Sequence, residues 1–450
     1  MNNKNIAIIL AAGKGSRMNS STPKPLHEVA GRPIIEHILQ NIKSAGIEEV
    51  IVVINKDHFD FFKYLSNSDS NIKFKFQENQ LGTGDAVKSG LVDYNLSNVD
   101  NVLVVFGDTP LLREVTLKSL LKSNDKNSLS VLGFDTDSPG RYGRLVVNDK
   151  SLVKIVEALD ADEKEKNITL CNGGVMMIKA ESLNKNLSLL NNDNAKKEFI
   201  LSDLVEITNN SGGSSAYIEC LHEETLGVDT KKGLSKAEKI YQNRLRDSFM
   251  ENGTTIMDPE TVFFSWDTSI DKDVVIGANI VFGKKVSIES GVTINSFCSI
   301  ENSIIKQGAS IGPFSRLRNG AEIGQDSKIG NFVEIKNSSL SEGVKVSHLS
   351  YIGDAEIGEN SNIGAGTITC NYDGVDKHKT TIGKRAFIGS NSSLIAPLSI
   401  GDDANIAAGS SISKDVESGS LAITRAPIKF ISNWSKKLRK SSSEEEKCAE

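Results

Sequence analysis

The stretch "IGPFSRLRNGAEIGQDSKIGNFVEI" (Ile311 to Ile335) sets an aliphatic residue at every sixth position: Ile311, Leu317, Ile323, Ile329 and Ile335. The same beat returns at Ile382, Ile388, Leu394, Ile400, Ile406 and Ile412. A period of six suits neither an α-helix nor a lone strand. Each repeat can supply one short strand, and three repeats make one triangular coil of a parallel β-helix, its inward aliphatic side chains stacked into a continuous core. The beat governs the chain from about residue 253. It is lost between Ile363 and Ile382, where "GAGTITCNYDGVDKHKTTIG" (Gly364 to Gly383) carries Asn371, Tyr372, Asp373, Lys377, His378 and Lys379. A loop that projects from such a coil is a usual place for a binding wall.

On a coil of three such repeats, residues eighteen apart lie above one another, about 4.8 Å apart like paired strands. Arg318 and Lys336 are so related. Two stacked cations without a counter-ion repel, so an anion between them, such as a phosphate, is the economical expectation. The alternative counter-ion is a carboxylate: Glu334 shares the coil of Lys336 and lies above Arg316. His348 follows in "KVSHLSYIG", with Tyr351 three residues on. A lone histidine is more often structural than catalytic, but this one stands shortly before the interrupted beat.

Ahead of the repeats, residues 1–231 read as alternating strands and helices. Apolar runs at Ile6–Ala11, Val50–Ile54, Val102–Phe106, Ser130–Phe134 and Gly174–Ile178, with a helical pattern at Ile34–Ala45, predict a largely parallel sheet covered on both faces. Residues 232–252 carry Leu234, Ala237, Ile240, Tyr241 and Leu245 among charges, the pattern of an amphipathic helix, read here as a linker to a domain over 253–450. The closing "KKLRKSSSEEEKCAE" has no apolar period and is expected to be a disordered tail.

A net charge of -6 speaks against a general nucleic-acid binder. The run "IAIILAA" is too short to span a membrane, and the five cysteines show no CxxC pair, so free thiols in a reducing cytoplasm are expected.

Chemistry gathers at several motifs of the first region. "LAAGKGSRM" (Leu10 to Met18) is a Gly-rich turn between a buried strand and an expected helix, a place for backbone N–H groups and a helix N-terminus to meet a phosphate. Lys14 and Arg17 add positive charge. "TPKPL" sets Lys24 in a Pro-flanked loop, "QLGTGDA" makes another small-residue turn, and "FGDTPL" puts Asp108 just past a strand end. An aspartate there is a natural Mg²⁺ ligand, with a solvated turn residue as the plainer alternative.

These motifs resemble, in order and separation, the sugar-nucleotide pyrophosphorylases, which join an NTP to a sugar 1-phosphate. The resemblance implies that Leu10, Ala11, Ala12, Gly13, Lys24, Gln77, Gly82, Thr83, Phe106, Gly107 and Asp108 hold the nucleotide. Gly143 of "RYGRL", Glu157 of "IVEALDA" and Asn172 of "CNGGV" match sugar-contacting positions, and Asp229 of "GVDT" a second Mg²⁺ ligand. Three positions depart from that family: Phe106 where Tyr is usual, Asp85 where His is common, and Asp229 where Asn is usual.

Hexapeptide β-helices are similar to acyltransferases that use a histidine base and coenzyme A. Both halves in this order resemble the bacterial bifunctional family that acetylates glucosamine 1-phosphate and then uridylylates N-acetylglucosamine 1-phosphate. "FSRLRNGAEIG", "GNFVEIK", "HLSYIGDAEIG" and "NIGAGTITCNYDG" carry the second half of the match. The implied fold is a Rossmann-like α/β nucleotidyltransferase, a helical linker and a left-handed parallel β-helix. The implied catalytic residues are His348, Arg17 and Lys24. Arg318, Lys336, Tyr351, Asn362 and Lys377 are the implied sugar-phosphate ligands; Ala365, Asn371, Tyr372, Ser390, Ala408 and Arg425 are the implied acetyl-CoA ligands. Mg²⁺ on Asp108 and Asp229, a homotrimer, small-molecule substrates only and a cytoplasmic location complete the expectation. The rival reading keeps the pyrophosphorylase and makes the β-helix a scaffold.

Overall fold

A computed structural model describes residues 4–149 and 151–436; nearly all of the expected tail, from residue 437, lies outside the described residues. The chain forms two compact units, one of residues 1–248 with 264–266, the other of residues 249–263 with 267–450.

The first unit is built on a mixed sheet. Its strand order is Ser215–Glu219, Leu129–Asp135, Leu170–Lys179, Asn101–Phe106, Asn5–Leu10, Glu49–Ile54 and Ile72–Phe76. Asn5–Leu10 runs parallel to both neighbours, and Leu170–Lys179 runs antiparallel to Asn101–Phe106 and to Leu129–Asp135. Along the central strand Ala7 and Ile9 enter one apolar cluster, Ile6 and Ile8 the other. Side chains alternate across a pleated strand, so a run with no polar residue has to be covered on both faces. Leu170–Lys179 extends well before the expected Gly174 and carries an irregularity between Asn172 and Met176. The cause is local. At Gly174 (φ +77) a Cβ would lie 2.4 Å from the Phe106 ring, so the chain bends past that ring only as glycine.

The helix Lys231–Glu251 lays Leu234, Ala237, Ile240 and Tyr241 on the core of this unit. Gln242 donates to Phe264 O (2.7 Å) and accepts from Phe264 N–H (2.8 Å), which ties residues 264–266 to the same unit.

The second unit is the left-handed parallel β-helix: three ladders of ten, nine and eight short strands among the described residues. The beat residues are its core; Ile311, Leu317, Ile323 and Ile335 are all fully buried. Two residues before many of them stands a buried hydroxyl, as at Ser327, Ser338, Ser350 and Ser361. Ser327 Oγ donates to Ser341 O (2.9 Å) and Ser361 Oγ to Gly383 O (2.7 Å), satisfying carbonyls at the coil corners.

The beat survives longer than its aliphatic residues suggest. Thr369 takes the inward position, fully buried and paired with Leu394, and its Oγ1 accepts from Gly353 N–H at 2.7 Å. The inserted loop is therefore residues 371–379, between the strands Ile368–Cys370 and Thr380–Ile382. No helix of the described residues is long and apolar enough to cross a membrane.

Candidate active sites

In the first unit, three parallel strands end along one edge. Ala11 N–H donates to Val53 O (2.8 Å), Gly107 N–H to Leu10 O (2.8 Å) and Gln77 N–H to Ile54 O (3.1 Å), so the loops that follow converge. All eleven residues expected to hold the nucleotide, from Leu10 to Asp108, line one cavity of ≈ 260 Å³. Gly143, Glu157, Asn172 and Asp229 line a second, of ≈ 560 Å³, which shares Thr83, Phe106 and Asp108 with the first. Gly82 (φ +118) closes the turn there: a Cβ would sit 2.5 Å from Phe199 O.

Lys24 is the hub of this site. Its Nζ donates to Asp108 Oδ2 and to Asp229 Oδ1, the latter at 3.0 Å, and Arg17 Nη2 meets Asp229 Oδ2 at 3.0 Å. The carboxylates come together because Val228 N–H donates to Asp108 O at 2.9 Å. Burial pulls the Lys24 ammonium down, but the two carboxylates outweigh it and hold its pKa above the usual lysine value. Two carboxylates already closed on one cation fit Mg²⁺, which takes one or two protein carboxylates and fills its shell with phosphate and water. No group of three or more acidic, His or Cys ligands occurs among the described residues, and this chemistry needs none.

One expectation is corrected here. The Gly-rich turn is followed by a single 3₁₀ turn, Ser16–Met18, and not by a helix. The segment after it, with Pro23 and Pro25, cannot continue a helical hydrogen-bond ladder. A phosphate entering this loop would meet backbone N–H groups and side-chain cations, without a helix terminus.

In the β-helix, Arg318 lies in register beneath Lys336, as spacing predicts. The cations do not lack counter-ions, however. Arg318 Nε meets Glu334 Oε1 at 2.5 Å, and Lys336 Nζ stands 3.7 Å from Asp354 Oδ2. Repulsion between the cations therefore does not by itself demand a bound anion. Asp354 also accepts from Asn337 Nδ2 (2.6 Å) and from Asn371 of the loop. Burial pushes its carboxyl up, but those bonds and the nearby Lys336 and Lys377 charges hold it below the usual range. The Tyr351 ring lies over Gly353, where a Cβ would fall 2.4 Å from its hydroxyl.

The loop is braced internally. Tyr372 bridges Lys377, Tyr372 Oη donates to Gly374 O (2.6 Å), and His378 Nε2 meets Asp373 Oδ2 at 2.7 Å.

His348 ends the strand Lys345–His348 at the opposite edge of the short strand Tyr351–Gly353. Its ring Nδ1 is 2.6 Å from Asn331 Oδ1. Above it the backbone forms one column: Gly366 N–H donates to His348 O, Asn391 N–H to Ala365 O and Gly409 N–H to Ser390 O. Ala365, Ser390 and Ala408 stack along this corner, and Arg425 Cδ lies 3.8 Å from the Cβ position of Gly409. Asn371, Tyr372 and Lys377 belong to the other edge, about 10 Å away across a three-residue strand. Asn362 lies on the ladder of His348's own strand, paired with Lys345 at the far end of that strand. Within one chain the expected second site is thus divided between two edges.

The chain was compared with known proteins. Residues 7–172 match the MobA-like NTP transferase domain. Residues 302–337 match the bacterial transferase hexapeptide family and residues 379–414 the hexapeptide repeat of succinyl-transferase. Bifunctional protein GlmU of Zymomonas mobilis is 44% identical over 96% of this chain and 97% of its own. The protein of that name from Sphingopyxis alaskensis is 42% identical over 99% of this chain and 100% of its own. The chain belongs to the bifunctional GlmU family. It is an enzyme with uridylyltransferase and acetyltransferase activities in UDP-N-acetylglucosamine synthesis.

Asn331 and Asp354 escaped the sequence reading, and both stand beside residues it named. The signal was present: Leu340 follows Ile335 by five residues, not six, so His348 pairs with Asn331, seventeen back. A strict count of eighteen points to Gly330 instead.

Proposed function

We propose that the first unit performs uridylyl transfer in the paired cavities and the second performs acetyl transfer along the His348 column. The observation that carries the first assignment is Lys24, of the smaller cavity, closed on Asp229, of the larger, and on Asp108, which lines both. An N-acetylglucosamine 1-phosphate oxygen attacks the α-phosphorus of UTP, and pyrophosphate leaves. Lys24 and Arg17 offset the developing phosphate charge, while the second cavity, with Glu157 and Asn172, orients the sugar. Mg²⁺ held by Asp108 and Asp229 supplies further neutralisation when bound.

In acetyl transfer, His348 Nδ1–H donates to Asn331 Oδ1, since an amide oxygen can only accept. Nε2 then carries the lone pair that takes the proton from the glucosamine amine. The amine nitrogen bonds the acetyl carbonyl carbon, the C–S bond breaks, and coenzyme A leaves as the thiol. Lys336, Arg318 and Lys377 receive the sugar phosphate, whose charge replaces the Glu334 and Asp354 partners of these cations.

A further part of the proposal is a homotrimer. One chain sets the His348 column and the Lys377 edge a strand apart, and parallel copies would lay the loop of one subunit beside the column of the next. A cytoplasmic working place belongs to the same proposal; no helix of the described residues is long and apolar enough to cross a membrane. Mass spectrometry of both half-reactions on purified protein tests the whole reading. Acetylation without uridylyl transfer, or the reverse, removes the corresponding assignment.

A further inference from the structure

Asp85 sits in the first turn of the helix Thr83–Leu91. Its carboxylate faces the chain, not solvent alone. Asp85 Oδ2 accepts from Gln77 Nε2 at 2.8 Å, and Gly82 O accepts from the same nitrogen at 3.0 Å. An amide nitrogen has two hydrogens, and both are used. Turning the amide over would set Oε1 against a carboxylate and a carbonyl, three acceptors with no proton among them. The orientation is therefore held from behind.

Gln77 is 6% exposed and lines the nucleotide cavity with Ala12, Gly13 and Gly82. Its Oε1 makes no hydrogen bond among the described residues, so it is the polar atom left for whatever enters. We propose that Asp85 is a specificity-determining positioning residue: by holding Gln77 Nε2, it presents Oε1 as a fixed acceptor for a nucleobase ring N–H. This rests on the reading above that the nucleotide occupies this cavity.

The chemistry separates the two pyrimidines. Uracil carries a proton on N3 and donates to Oε1. Cytosine has a lone pair on N3, and would meet an acceptor with an acceptor. An unanchored glutamine serves either base by turning its amide. One held by a carboxylate, a stronger acceptor than a neutral carbonyl, cannot do so cheaply. Guanine also carries a ring N–H, and Asp85 is assigned no part in excluding it.

The test compares UTP with CTP as uridylyl-site substrates for the full-length wild-type protein, Asp85→Ala and Asp85→Asn. In Asp85→Ala the ratio of kcat/KM for UTP over CTP should fall about tenfold, mostly through KM. Asp85→Asn still offers an amide oxygen to Nε2 and should keep the ratio within about threefold of wild type. Acetyl transfer, measured on the same preparations, reports that the chain is folded. If Asp85→Ala is too unstable to assay, calorimetric binding of UTP and CTP to Asp85→Asn and Asp85→Leu gives the same comparison. A wild-type ratio in Asp85→Ala or Asp85→Leu overturns the inference while leaving the nucleotide site in place. A wild-type protein that does not use UTP overturns the site assignment itself, a separate result.

Discussion

The two units place chemistry by opposite means. In the first, Lys24, Asp108 and Asp229 meet across separations of 84 and 205 residues, and nothing periodic connects them. In the β-helix, each residue that matters lies about one coil from its partner: Arg318 beneath Lys336, Asn331 beneath His348, Asn337 against Asp354. Convergence in the first unit depends on the loops that follow several strands. Convergence in the second depends on register, so a single five-residue repeat exchanges one neighbour for another. The difference teaches where each site is vulnerable. The first is lost by removing a charge, the second by removing one rung.

The sharpest division between the units should come from His348→Ala. Loss of a general base is expected to lower acetyl transfer about a thousandfold and leave uridylyl transfer at its wild-type rate. Near-normal acetylation in this variant would remove the histidine from the chemistry.

Asp108→Asn is the reciprocal experiment. It keeps the shape and deletes one negative charge of the Asp108–Asp229 carboxylate pair, so uridylyl transfer should fall about a hundredfold or more while acetylation persists. Equal loss of both activities would break the comparison, because the sites would then not be separable.

Lys336→Ala bears on the register directly. Removing one phosphate cation should raise KM for glucosamine 1-phosphate about tenfold, with little change in KM for acetyl-CoA. An unchanged KM would leave the Arg318–Lys336 ladder a solvated face neutralised by Glu334 and Asp354.

The smallest effect belongs to Asn331. Asn331→Ala frees the His348 ring and should lower kcat for acetyl transfer about fivefold with both KM values held. Asn331→Asp restores an acceptor for Nδ1–H and should recover most of the rate. A loss that Asp does not rescue would assign Asn331 to the packing of the coil.

The β-helix was legible down to single rungs. Ile311, Leu317 and Ile323 were expected inside and are fully buried, because each aliphatic residue of the beat has nowhere else to go on a triangular coil. The end of the beat was misread by one rung, since Thr369 shares the inward position through a hydrogen bond that no hydrophobic pattern records. In the first unit the residues the motifs named from Leu10 to Asp108 line one cavity. The motifs did not foresee that the Gly-rich turn would stop after one 3₁₀ turn, nor that Lys24 would hold both acidic residues.

Spacing alone therefore decided the architecture and the neighbourhoods. Strand pairing in a β-helix couples each residue to its partner one coil away, and apolar runs must be buried on both faces wherever no polar residue interrupts them. What the tertiary structure decided is which side chain answers which: Asp354 to Lys336, Asn331 to His348, Asp85 to Gln77. Those pairings turn on ångström-scale approach between loops and on the direction of single amides and carboxylates. Hydrogen bonds have reach and orientation, and a linear spacing carries neither.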